Sequence, residues 1–253
     1  MHYQPKLNIL ENRIILVTGA SDGIGREVAL TYASYGAHVI LLGRNAKTLH
    51  NTKQAIDQLN KTPACLLLFD LEQANPKNCK ELAEKIAICV PHLDGVLHNA
   101  SILGDLVPLV KLNPTIWNQV IQINLHAVFY LTQVLIPLLL KSKAGSLIFT
   151  TSSVGRIGRA SWGAYSVSKF AIEGMMQVLA DEYKNCSLRV NCINPGSTRT
   201  KMRARAFPQE NSNLLKRPID LMPIYLYLMS DDSRYKTGIS FDAQPKYQNN
   251  IFS

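Results

Sequence analysis

A tyrosine and a lysine four residues apart, Tyr165 and Lys169, stand in the stretch YSVSK. On a helix that spacing puts both side chains on one face. A phenol ordinarily loses its proton near pH ~10. A cation beside it favours the phenolate and makes it an acid/base usable near neutral pH. Ser152 follows the strand-like run SLIFTT (146–151), where a hydroxyl could polarise a carbonyl oxygen. A Tyr/Lys pair alone also fits an ordinary surface helix, so the rest of the chain has to decide.

A second group of residues suits a phosphate. TGASDGIG runs from Thr18 to Gly25, directly after the apolar run Ile14-Ile15-Leu16-Val17. Gly19 can make the tight turn out of a strand, Gly23 permits close backbone approach, and Gly25 permits close helix–strand packing. With Ser21, Asp22 and Ile24 between them, they open a helix whose first N–H groups and positive dipole end attract a pyrophosphate. The same spacing also fits a plain strand–helix turn. Where the next strand ends, Leu42-Gly43-Arg44 carries no acid. An acid there selects the ribose 2′-OH of NAD, whereas an arginine accommodates the 2′-phosphate of NADP. Arg44 therefore reads either as a phosphate ligand or as an exposed loop arginine.

The elements that must hold these residues alternate along the chain. Strands are expected at 13–18, 38–42, 64–69, 95–100, 146–151, 188–193 and about 238–241. Helices are expected from Gly23 to about Tyr35, about Thr48 to Leu59, Glu81 to Cys89, Pro114 to Leu140, Trp162 to Tyr183 and Ile219 to Met229. Apolar strands alternating with helices imply a parallel sheet covered on both faces. The expected fold is a single doubly wound α/β (Rossmann) domain of about seven strands spanning 1–253, with ligands beyond the carboxyl ends of the strands. Residues 199–217 read as an irregular substrate loop, and 245–253 as a frayed tail.

Composition narrows the partners. The net charge is +9, but Lys and Arg are scattered, so nucleic acid is not expected as a partner. The opening MHYQPKLN lacks a signal peptide's apolar core. The run 127–140 is interrupted by Thr132, Gln133 and Pro137, so no membrane span is expected. Five cysteines with no CxxC pair and no zinc spacing argue against a metal and fit a reduced cytoplasm. The 114–140 and 162–183 helices carry apolar residues on too many sides for a surface helix, among them Phe129 and Phe170. A partner subunit is expected to cover the surplus, giving a homodimer or homotetramer.

With these motifs in place, the chain resembles the short-chain dehydrogenase/reductase family over about Asn12 to Phe241. TGASDGIG matches the family's cofactor turn. Asp70 in FDL matches the acid that contacts adenine, and HNAS (98–101), with Asn99 and Ala100, resembles its NNAG. Asn124 in QINLHAVF matches the asparagine of the long helix. Ser152, Tyr165 and Lys169 match the catalytic serine and YxxxK, and NPGSTRT (194–200), with Pro195, Gly196, Thr198 and Thr200, resembles the PG-x-V-x-T segment. Within the family, the FDAQP ending, NPGSTRTKMRA and WGAYSVSKF are most similar to bacterial YciK-like oxidoreductases.

The resemblance implies NADP(H)-dependent interconversion of a carbonyl and a secondary alcohol in a small-molecule substrate. Tyr165 would be the general acid/base and Ser152 would orient the oxygen. Lys169 would hold the nicotinamide ribose and lower the tyrosine pKa. Asn124 would hold a water of the proton relay, and Thr200 would meet the cofactor near the nicotinamide. Two alternatives stay open: a 3-oxoacyl-carrier-protein reductase whose basic loop receives an acidic partner, and an NADP-sensing protein without turnover. Arg156, Ile157, Arg159, Trp162, Met202 and Phe207 are expected to border the substrate. For Arg156 and Arg159 solvent or a neighbouring subunit is the competing reading, and Trp162 reads more readily as packing. FDAQP (241–245) replaces the family's common DGG ending. Its loop is expected to take another path, toward a subunit contact.

Overall fold

Residues 3–59 and 63–245 are described in a computed structural model of the chain. Seven strands form its sheet: β1 (Ile14–Thr18), β2 (His38–Gly43), β3 (Cys65–Leu68), β4 (Gly95–His98), β5 (Ser146–Thr150), β6 (Arg189–Asn194) and β7 (Ser240–Asp242). Their order is β3-β2-β1-β4-β5-β6-β7, with every neighbouring pair parallel. The order reverses between β1 and β4, which opens a crevice at their carboxyl ends. Burial on both faces explains why the central strands read as continuous apolar runs rather than alternating ones.

Helices α1 (Gly23–Ser34), α2 (Ala46–Leu59) and α8 (Met222–Met229) cover one face. Helices α3 (Pro76–Cys89), α5 (Ala127–Leu139) and α6 (Gly163–Glu182) cover the other. Fully buried anchors such as Leu16, Ile40, Leu131 and Phe149 each contribute roughly 1.5–3 kcal/mol of burial. Helix α3 starts earlier than the expected Glu81. Asn75 and Asn78 form a reciprocal capping box and Pro76 occupies the first turn, a start signal legible in the NPKN stretch.

Two expectations change. The expected 114–140 helix contains a π-helical segment at Gln122–His126, between α4 (Pro114–Ile121) and α5. By length and composition the whole Pro114–Leu139 helix could cross a membrane, but half of its most apolar window is buried inside this domain. The 199–217 stretch is not irregular throughout. Thr200 accepts a hydrogen bond from Arg203 N (3.1 Å) and starts helix α7 (Lys201–Ala206), while a bridge between Thr198 and Lys216 closes the segment's base. The tail from 246 onward lies outside the described residues.

Candidate active site

A cavity of about 470 Å³ opens at the carboxyl ends of the strands. Gly19, Ser21, Asp22, Gly23 and Ile24 line one end, with Arg44 and Asp70 beside them. Gly19 and Gly23 adopt φ of +67° and +54°, a left-handed backbone that glycine adopts without a Cβ penalty. Gly25 has a different reason. A Cβ there would stand 2.3 Å from the Gly19 oxygen and 2.5 Å from Asn99 Nδ2, so the first turn of α1 presses directly on the strand end. For Gly23, a Cβ would meet only Thr200 at 3.6 Å. Its backbone conformation, rather than crowding within the protein, is what demands glycine.

Thr18, the first residue of TGASDGIG, was not singled out from sequence. Its hydroxyl accepts hydrogen bonds from the N–H groups of Asn99 (3.0 Å) and Ala100 (3.1 Å), which sews the end of β1 to the end of β4. Arg44 is exposed, and its nearest acid is Glu72 at 3.7 Å. Asp70 accepts from Glu72 N (3.1 Å) and caps a short 3-10 turn.

Ser152, Tyr165 and Trp162 line the cavity on the side of β5 and α6, with Pro195, Gly196 and Thr198 from the loop after β6, and Thr200 lies between them and Gly23. Tyr165 and Lys169 share a face of α6, the ammonium lying 5.5 Å from the ring centroid and donating to Thr150 O at 2.8 Å. Burial pushes the Tyr165 phenol up to about 12, while hydrogen bonding with Ser152 works the other way. Burial pulls Lys169 down to about 8. Desolvation, rather than the lysine charge, sets the direction of the phenol's shift here and favours its protonated form.

Asn124 lies in the π-helical segment. Its Oδ1 accepts from Ile102 N (2.9 Å), and its Nδ2 donates to Ile102 O (2.9 Å) and Ser168 Oγ (3.2 Å). Both amide hydrogens are thus committed to clamping the loop after β4 onto α6. A water in the small adjoining cavity beside Lys169 would have to bond to something other than these hydrogens. His98 is buried and neutral, its pKa pushed down to about 3 by burial, with its ring stacked on Phe149 and its Nε2 3.1 Å from Thr132 Oγ1.

The rim differs from expectation. Arg156 turns away from the cavity. It bonds Glu173 (3.2 Å), Asp242 (3.0 Å) and Ser240 Oγ (2.6 Å), joining the segment after Ser152 to α6 and β7. Ile157 and Arg159 are exposed and do not line the cavity. Trp162, expected at the substrate border though more readily as packing, faces the cavity, with its ring 5.9 Å from that of Tyr165 and 5.8 Å from that of Phe207. The FDAQP ending folds back on the site. Gln244 Nε2 contacts Pro195 O (2.9 Å), Ser197 O (2.9 Å) and Thr198 Oγ1 (3.2 Å), and its side chain packs on Gly196. The lost glycines of DGG were the sequence signal that this ending is built differently. Its destination needed coordinates.

Comparison with known proteins agrees with this geometry. The family model described as short chain dehydrogenase matches residues 13–211. The chain is 62% identical over 245 residues to the oxidoreductase YciK of Escherichia coli K12, covering 97% of each. A short chain dehydrogenase of Shigella flexneri crystallised with NADP is 61% identical with a TM-score of 0.93, over 95% of this chain and 100% of that one. One from Escherichia coli CFT073 crystallised with NADPH is 60% identical with a TM-score of 0.94, over the same shares. A glycine turn and a YxxxK helix at opposite ends of one crevice, and a match running through most of the strands that carry them, place this chain in the short-chain dehydrogenase/reductase family.

Proposed function

We propose that the protein is an NADP(H)-dependent oxidoreductase acting on a small carbonyl compound or its secondary alcohol, with Tyr165 as general acid/base. The observation that carries this reading is one cavity with Arg44 and the glycine turn at one end and Ser152 and Tyr165 at the other. Those residues fit the dinucleotide. The turn offers backbone rather than side chain, and Arg44 ends β2 where a 2′-phosphate would lie. Once bound, the nicotinamide supplies or takes up the hydride. The chain's own residues handle the oxygen and the proton. Ser152 orients the carbonyl oxygen. Tyr165, protonated at neutral pH, donates to that oxygen in the reductive direction. Lys169, which donates to Thr150 O, would support the ribose. Asp70, Asn99, Ala100 and the Pro195–Thr200 loop line the rest of the groove.

NADPH oxidation against a panel of carbonyl compounds, acyl-carrier thioesters included, tests the reading. NADPH binding without turnover of any panel member would favour the sensing alternative. The small-carbonyl reading is favoured over the carrier-protein alternative because three of the loop's basic residues have acidic partners within the chain. Arg203 binds Glu210, Arg205 binds Asp105 and Lys201 binds Asp22.

Cofactor choice gives a direct test. Arg44→Asp places a carboxylate where the phosphate charge would sit. NADPH affinity should fall at least about tenfold, with NADH gaining relative to it. Titration of both cofactors by fluorescence measures this, and unchanged preference would remove Arg44 from the phosphate site.

We also propose a homo-oligomer in a reduced, cytoplasmic setting. Val167, Phe170 and Val178 form an exposed apolar stripe at helical spacing on α6, at 44%, 44% and 57% exposure. The outer face of α5 is more mixed than expected, since His126 and Gln133 are exposed beside Phe129. Light scattering at micromolar concentration should give at least twice the chain's mass; a clean monomer would overturn the interface.

A further inference from the structure

The reacting end of the cavity is an apolar wall. Tyr165 packs in one buried cluster with Leu103 and Val154, against which Leu106, Trp162 and Met202 lie partly buried. Among the described residues, the charged groups lining the whole cavity are Asp22, Arg44, Asp70, Lys201 and Arg203. Arg44 and Asp70 follow β2 and β3, at the glycine-turn end. Lys201 is drawn to that end too, paired with Asp22 at 2.8 Å.

That leaves Arg203 as the cation able to receive an acidic substrate beside the apolar wall. Its guanidinium is already occupied. Nε and Nη2 donate to the two oxygens of Glu210 at 2.6 and 2.5 Å, and the guanidinium carbon lies 3.8 Å over the Phe207 ring. A bidentate, stacked pair presents no net charge, so a second carboxylate on the remaining Nη1 edge would have to share one cation with Glu210. An acidic substrate would have to crowd its charge against Glu210 on one guanidinium, break that pair, or sit unpaired against leucine, methionine and tryptophan, and an uncompensated charge on an apolar wall is costly.

We infer that the substrate is an uncharged ketone or aldehyde, or the matching alcohol, whose compact apolar body packs between Trp162, Met202 and Leu103, and that the Glu210–Arg203 pair turns away substrates carrying a carboxylate. This rests on the oxidoreductase reading above and names its substrate class.

The test compares two ketones of one skeleton, cyclohexanone and 4-oxocyclohexanecarboxylate. With NADPH, kcat/KM for the neutral ketone should exceed that for the acid at least about tenfold. In parallel, calorimetry on the NADP⁺-loaded protein should show the neutral ketone binding more tightly. Glu210→Gln, which frees the Arg203 charge, should narrow both gaps by improving the acid. Equal or better performance by the acid in the unaltered protein would overturn the inference, as would failure of both ketones to bind. If both bind in the expected order but neither is reduced, the substrate class stands and the oxidoreductase reading fails.

Discussion

Tyr165→Phe is expected to leave NADPH binding close to that of the unaltered protein while turnover falls by roughly 10²–10⁴-fold. The substitution removes one oxygen and keeps the ring. Tyr165 is only 8% exposed and packs against Leu103 and Val154, contacts that phenylalanine reproduces. Lys169 is held by its bond to Thr150 O at 2.8 Å, not by the phenol, so its position should survive. What disappears is the proton. Burial holds the phenol near 12, which keeps it in the donating form across the neutral range. Lys169→Ala should behave differently and weaken cofactor binding and turnover together. Single-turnover kinetics and fluorescence titration of the two variants separate these outcomes. Near-normal kcat in Tyr165→Phe would make the YSVSK pair structural and the mechanism wrong.

The second large effect is expected at Gly25. In Gly25→Ala the new methyl would stand 2.3 Å from the Gly19 oxygen and 2.5 Å from Asn99 Nδ2. The first of these is backbone and cannot swing aside. Gly19 cannot retreat easily either, because its own Cβ position is 2.9 Å from the Ala100 Cα. Relief therefore requires α1 to move off the strand end, and the turn loses its shape. A cost of about 3 kcal/mol is expected, which corresponds to a fall in Tm of roughly 6–12 °C. NADPH affinity should drop with it, since the same turn lines the cavity. A thermal melt with and without NADPH reads both effects. An unchanged melt would mean that the crowding at this turn is easily relieved.

The parts of the site that were legible in the sequence are those set by local chemistry. A glycine turn after an apolar run and a tyrosine four residues before a lysine each announce their own backbone. The alternation of strands and helices then places both at one sheet edge. What could not be read depends on partners distant in the chain or on burial. The basic stretch from Arg199 to Arg205 reads as a cationic loop until Glu210, Asp105 and Asp22 are seen to pair three of its four cations. Arg156 reads as a pocket residue until Glu173 and Asp242 claim it. The direction of the Tyr165 shift needs the desolvation around the ring, which four-residue spacing does not convey. The π-helical turn at Gln122–His126 has no sequence marker that separates it from ordinary helix.

Gln244 and Asp242 bear on how the molecule is made. Synthesis delivers the glycine turn first, the Tyr165 helix much later and β7 later still. Until residues 240–244 emerge, the Pro195–Thr198 loop lacks the amide that gathers Pro195 O, Ser197 O and Thr198 Oγ1. The Ser152 segment likewise lacks the carboxylate and hydroxyl that Arg156 grips on β7. Strands β1 to β6 and the glycine turn thus precede the brace on the Ser152 end in order of synthesis. Residues 240–244 thus act as the latch on a site whose first residues were translated more than two hundred codons earlier.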